Sequence, residues 1–244
     1  MAEAAVLPQQ GFDDQGLDDA ALPEDAALRA VAGQTRPLTL ARDRCLPVLP
    51  ALASLLPEAG LRRGSTVAVT GSVALAMALL AGPSAAGSWG AVVGLPSLGA
   101  EAAAELGVAL ERLALVPEPG IERWPVVVAA LLDDLDIVLA VPPPNVRAAH
   151  ARRLTARARE RDGVLVVLGS RRLGGEPVDL QLAVTGGRWT GLGRGHGRLV
   201  ARQVEVVARG RRAAARERRA RLWLPAPGGE VTLADDDAGL AATG

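Results

Sequence analysis

From Ser65 to Ala100 the chain carries no charged side chain. A stretch of that length must be withdrawn from water, either in a bilayer or in the middle of a folded domain. Its interruptions decide between the two. Gly71, Gly82, Pro83 and Gly87 break it, and the longest unbroken apolar piece is Val73 to Ala81. A membrane-crossing helix needs ~20 such residues. Two buried strands around a buried helix account for the stretch, and no membrane contact is expected.

The flanking sequence continues the same alternation. Thr66–Val69 is a short β-branched run, Val73–Ala81 is helical in composition, and Ala91–Val93 is a second short strand. Ala100–Leu106 reads as a helix stopped at Gly107, a residue suited to a C-cap. Leu113–Val116 reads as a strand, Val126–Asp133 as a helix begun by Pro125, and Ile137–Val141 as a strand. Val146–Arg161 is an arginine-studded helix and Val164–Leu168 a strand. Strands apolar throughout and separated by helices predict a mostly parallel sheet with helices on both faces. Upstream, Leu46–Leu56 reads as an apolar helix. After Gly174–Gly175 the rhythm changes: Gln181–Val184, Arg188–Leu192 and Leu199–Val207 predict strands joined by glycine turns, so the sheet ends in antiparallel hairpins. The arginine-rich stretch from Arg209 to Arg221 reads as a helix or a segment that orders on binding, with a last strand over Arg221–Leu224.

The ends have a different composition. Glu3 to Asp25 holds seven carboxylates and no cation, so residues 1–36 read as an acidic, unfolded N-terminal tail, with no basic start of the kind a secretory signal has. Residues 37–208 form the expected core, 209–226 an arginine-rich partner-binding segment, and 227–244 a second acidic, unfolded tail. The expected location is cytoplasmic. The 27 cations balance the 27 carboxylates, and every cation is arginine, because the sequence has no lysine. Chemistry that needs a lysine amine is therefore excluded. One cysteine, Cys45, and two distant histidines, His150 and His196, leave no disulfide framework and no Cys/His zinc site.

A sheet of this kind holds phosphate at the helix that follows its first strand. That junction reads Val67-Ala68-Val69-Thr70-Gly71-Ser72-Val73. Counted from Gly71 as the first glycine of a phosphate loop, Ala76, Met77 and Ala78 fall where the second glycine, the lysine and the hydroxyl belong. With a shortened loop, Ser72 and Val73 take the last two places. The strand that should end in a metal-binding aspartate, Asp136–Ala140, ends in Val141 instead. Gly71, Ser72, Met77 and Val141 thus mark a degenerate nucleotide site, and neither catalysis nor a cofactor is expected.

Gly60-Leu61-Arg62-Arg63-Gly64-Ser65-Thr66-Val67-Ala68-Val69-Thr70-Gly71 resembles the entry into a RecA-type core. Glu105-Leu106-Gly107-Val108 with Leu113–Gly120 resembles its passage into the third strand, Asp136–Val141 its fourth and Val164–Ser170 its fifth. The resemblance covers about Leu46 to Arg209 and implies a RecA-like, P-loop-type α/β fold. Within that superfamily a lysine-free, alanine- and arginine-rich chain is similar to the RecA-like accessory proteins of the actinobacterial mutasome, the ImuA-prime type. This implies a role in DNA repair after DNA damage. There it would act in SOS-induced, mutagenic translesion synthesis beside an inactive Y-family polymerase homologue and a DnaE-type error-prone polymerase, associated with the nucleoid during damage. An alternative within the same degenerate core is a SulA-like inhibitor of cell division that binds a tubulin-like GTPase. A weak ATP-dependent enzyme with a non-standard loop is a third class.

Arginine is unevenly spread. From Arg194 to Arg221 there are ten arginines against Glu205 and Glu217, and the helix Val146–Arg161 has six against Glu160. Such a surface suits DNA phosphates or an acidic partner, and a solvated helical face with an exposed hairpin is the equal alternative. Arg211, Arg212, Arg216, Arg218, Arg219 and Trp223 are the candidate partner-binding residues. Arg171, Arg172, Arg194 and Arg198 are candidates for weak DNA-phosphate contact. The loops Pro142–Asn145 and Arg171–Asp179, where RecA proteins hold single strands, are too short for strand exchange. Asp133, Asp134 and Asp136 read as a solvated acidic turn.

Overall fold

The computed structural model describes residues 44–192 and 196–234. Strands β1 (Cys45–Pro47) and β2 (Gly60–Arg62) form a small antiparallel pair around a 3-10 helix at Pro50–Leu55. Then come β3 (Thr66–Thr70), α1 (Val73–Ala85), β4 (Gly90–Val93), α2 (Ala100–Glu105) and β5 (Leu113–Val116). Helix α3 (Trp124–Asp134), β6 (Ile137–Ala140), α4 (Ala148–Glu160) and β7 (Val164–Leu168) complete the alternating part. The chain closes with β8 (Leu180–Trp189), β9 (Arg202–Gly210), β10 (Arg218–Trp223) and β11 (Thr232–Leu233).

Nine of these strands make one sheet in the order β11-β10-β9-β8-β3-β7-β6-β4-β5. From β8 to β5 all neighbours are parallel, and from β8 to β11 all are antiparallel. The fold is therefore α/β and RecA-like, with C-terminal hairpin strands on a parallel core.

Alternation along each strand explains the layers. Val67 and Val69, Ile137 and Leu139, Val164 and Val166, and Leu180 and Leu182 point to one face, where α1, α2 and the 3-10 helix cover them. Ala91 and Val93, Val138 and Ala140, and Leu165 and Val167 point to the other, under α3 and α4. Helix α1 is apolar all round because it is enclosed; Leu75 to Ala81 are all buried. Helix α4 has a single buried stripe, Ala151, Leu154 and Ala158, with its arginines outside. Among the described residues no helix covers the second face beyond β3. There β8, β9 and β10 present Gln181, Thr185, Glu205, Arg209 and Arg219.

Several expectations need correction. The apolar stretch Leu46–Leu56 is no α-helix: Leu46 and Pro47 belong to β1, and Pro50–Leu55 forms only a short 3-10 helix. Gln181–Val184 and Arg188–Leu192 are not two strands. Gly186 and Gly187 lie within one ten-residue strand, β8, and the irregularity falls at a bulge between Val184 and Gly186. The segment 209–226 is not an appendage. Its Arg212–Ala214 turn leads into β10, which pairs with β9 along its length, and Leu222 and Leu224 are buried in the main core. Ordered chain also runs past Pro227, since Val231 is buried and Thr232 pairs with Trp223. The acidic turn is not simply solvated. Asp133 binds Arg157 and Arg161, and Asp136 accepts hydrogen bonds from Arg63 and from the Trp89 amide. The N-terminal tail, Arg194 and the last ten residues lie outside the described residues.

Candidate functional site

The connection from β3 to α1 consists of Gly71 and Ser72 alone. Gly71 adopts φ +85°, a conformation that favours glycine. It lies against β8: a Cβ placed on it would stand 2.9 Å from the Val184 carbonyl oxygen. Ser72 caps the helix, its Oγ accepting the Leu75 amide at 3.1 Å, an arrangement worth about 1 kcal/mol. Met77, the residue at the lysine position, is 1% exposed and part of the core. At the end of β6 the Val141 amide bonds Val93, and its carbonyl would lie 2.9 Å from a Cβ on Gly94.

A RecA-like fold implies a nucleoside triphosphate with magnesium at this turn. The residues present do not fit that group. A two-residue connection cannot wrap phosphates, the helix amide that would meet them already has a partner in Ser72, and no charged side chain reaches the turn from positions 72–78. The four residues expected to mark a degenerate site are thus brought to the same end of the sheet. Ser72 has a structural task there, and Met77 and Val141 serve packing.

The candidate arginines part company. On β10 the pleat directs Ala220 and Leu222 into the core and Arg219, Arg221 and Trp223 to the opposite, uncovered face. Arg219 bonds Glu205 at 3.0 Å and Glu217 at 2.7 Å, and Arg209 also pairs with Glu217. These guanidinium groups hold the Glu217 carboxyl below its ordinary range, chiefly through the hydrogen bond from Arg209. Arg218 folds back on the Arg216 and Ala213 carbonyls. Trp223 is half-buried between its strand neighbours Gln203 and Thr232.

Arg171 joins this face. It lines a cleft of about 350 Å³ with Thr70, Gln181, Arg209 and Arg219. One candidate for DNA contact and one for partner contact therefore meet, together with Arg209, which the sequence reading did not single out. Arg172 goes elsewhere, bonding the Gly175 carbonyl at 3.1 Å beside a cleft formed with Pro142–Asn145. Arg198 lies in the β8–β9 connection, where Leu192 and Leu199 are exposed, as is Trp189 at the end of β8. Arg211 and Arg212 sit at the opposite end of the sheet, near the start of β3.

The chain is similar to Rv3395c of Mycobacterium tuberculosis, an uncharacterized protein. The two are 35% identical over 156 residues, 63% of this chain and 73% of that one. The chain belongs to the Rv3395c family. A family model described as the MT3502 N-terminal domain matches residues 54–173. In this member of the Rv3395c family, that match begins inside the 3-10 helix and runs through β7 and the first residues after it. It takes in the Gly71 turn and stops before β8, so the uncovered face lies largely outside it.

Proposed function

We propose that this chain is a non-catalytic, RecA-like adaptor that supports damage-induced translesion DNA synthesis through protein contacts. The observation that carries the reading is the closed Gly71 turn, where β8 lies against the glycine and Met77 is sealed in the core. A RecA-like scaffold with no room for triphosphate acts by touching other macromolecules. The repair pathway comes from the resemblance to mutasome accessory proteins. On that resemblance the partners are an inactive Y-family polymerase homologue and a DnaE-type polymerase.

The surface best suited to such a partner is the uncovered face of β8, β9 and β10. It combines Arg171, Arg209 and Arg219 with the half-buried Trp223, the mixture of arginine and aromatic side chains that dominates protein interfaces. Weak contact with DNA phosphates through Arg171 and Arg198 is part of the same reading.

The test is affinity purification of the full-length chain from DNA-damaged cells of the source organism, combined with nucleotide titration. The expected outcome is co-purification of a polymerase homologue and no magnesium-dependent ATP binding. Recovery of a tubulin-like GTPase instead would favour the SulA-like alternative. Specific magnesium–ATP binding abolished by substitution at Gly71 would overturn the non-catalytic reading.

A further inference from the structure

A second cationic site lies at the other end of the sheet from the Gly71 turn. It is a cleft of about 280 Å³ beneath the amino ends of β3 and β8. Four stretches of chain build its walls: the β2–β3 connection, the C-terminal end of α4, the start of β8, and the turn after β9. They bring together Arg62, Arg63, Arg159, Arg211 and Arg212, residues 150 positions apart at the extremes. Buried Leu61, Val67 and Leu180 form an apolar floor.

The arginines differ in whether they are already engaged. Arg63 bonds the Asp136 carboxylate at 2.8 Å. Among the described residues the guanidinium groups of Arg62, Arg159, Arg211 and Arg212 form no hydrogen bond or ion pair. Three carboxylates belong to the same region, and two are occupied. Asp179 accepts the Thr66 amide at 3.0 Å, and Glu58 accepts the Cys45 thiol at 3.2 Å. Those donors are uncharged, so both carboxylates keep their negative charge, as does Asp162, and the four arginines not paired with a carboxylate exceed the three acids by one.

The backbone around it is also unusual. Four non-glycine residues of the described chain have φ in the left-handed region, and two of them, Asp162 and Arg212, line this cleft at +53° and +54°. Each such conformation costs of order 1 kcal/mol, and clusters of them are characteristic of ligand sites. Gly210 allows the arginine-bearing turn to close on β8, because a Cβ there would collide with the Asp179 carbonyl and the Ala214 side chain.

We infer that this cleft binds nucleotide phosphate, either free or as part of a nucleic-acid strand. Guanidinium forks match phosphate oxygens in pairs, and several converging on one concavity favour a polyanion over a single carboxylate. The volume is near the lower end for a small-molecule pocket, and the apolar floor suits the flat face of a base or sugar. Recognition of this kind needs neither lysine nor magnesium. The cleft lies at the opposite end of the strands from the Arg171, Arg209, Arg219 and Trp223 surface proposed for the partner, and it takes Arg211 and Arg212 away from that role.

The test is fluorescence anisotropy with the full-length protein in EDTA. One probe is 5′-fluorescein-labelled single-stranded oligothymidylate, the other a fluorescent ATP analogue. Binding of either probe is expected, and the tighter of the two identifies the source of the phosphate. R211A/R212A, and separately R62A/R159A, should each weaken that binding at least about tenfold. R211K/R212K should fall between, because lysine keeps the charge and loses the fork. R123A, an exposed arginine at the start of α3, should change affinity less than about twofold. The second double variant leaves the strained Arg212 backbone untouched, and urea midpoints report whether each variant remains folded. Unchanged affinity in a folded double variant, no binding of either probe, or displacement of both by polyglutamate at lower concentration than by pyrophosphate would overturn the inference.

Discussion

The Val184 carbonyl closes over Gly71, leaving no space for a side chain at the turn where a RecA-like fold would hold phosphate. A Gly71→Ala substitution must accept both a left-handed φ and a contact of 2.9 Å with β8 backbone. It should lower unfolding stability by about 2 kcal/mol, read from urea denaturation. An undiminished midpoint would show that β8 yields easily there.

Restoring the missing lysine should not restore a nucleotide site. Met77→Lys places an ammonium group where the native side chain is 1% exposed. The cost of burying that charge is expected to exceed about 3 kcal/mol. Thermal unfolding should reveal a strongly weakened fold, and equilibrium dialysis with magnesium and ATP should show no binding beyond that of the unsubstituted chain.

Removal of the chain from Arg211 onward would strip β10 and β11 from the sheet. Leu222 and Leu224, 0% and 1% exposed, would be lost from the core, at about 2 kcal/mol each for burial alone. The bared edge of β9 would add a tendency to aggregate. Hydrogen exchange on the truncated chain should therefore show broad loss of protection. A core confined to residues 37–208, as the composition suggests, would survive this cut, and the pairing of β10 with β9 is the physical reason to expect otherwise.

Two exposed ion clusters should make stability fall in acid. Asp133 is held below its ordinary range by the hydrogen bond from Arg157, with Arg161 adding to it, and Glu217 is held low by Arg209 and Arg219. A carboxyl group whose folded pKa is depressed contributes its full stabilisation above its unfolded pKa, near 4, and loses it as pH falls through the folded value. The urea midpoint should therefore drop below about pH 4. Asp133→Asn together with Glu217→Gln should flatten that drop, and a parallel shift at all pH values would contradict the assignment.

Cys45 should be a slow nucleophile. Burial, then the hydrogen bond and charge of Glu58, raise its thiol to about 11. At pH 8 almost none is thiolate, so disulfide exchange with a chromogenic reagent should be slower than for a free thiol. Glu58→Gln should speed it. Above about pH 8.5 the unfolded state sheds this proton before the folded state does, so the folded state loses a little stability as pH rises.

How far the sequence was legible depended on where each strand sits. Strands β3, β4, β6 and β7 are covered on both faces, so each reads as an unbroken apolar run, and their expected bounds fall within a residue or so of the observed ones. β8 lies at the transition to a one-sided sheet, and there Gly186–Gly187 imitates a turn. β10 was obscured by its arginines, although Ala220, Leu222 and Leu224 alternate with Arg219, Arg221 and Trp223 in the two-residue period of a half-covered strand. The empty phosphate turn was visible in the residues at 71–78. The cleft of Arg62, Arg159, Arg211 and Arg212 was not, because only the crossing of distant segments assembles it.

The pleat of β10 separates two kinds of experiment by parity. Substitutions at even positions, Ala220, Leu222 and Leu224, test whether the protein holds together; those at 221 and 223 test what it recognises, while Arg219, ion-paired to Glu205 and Glu217, bears on both. A deletion or a block alanine scan mixes the two outcomes, and a failed pull-down from such a variant would report misfolding as readily as a lost partner.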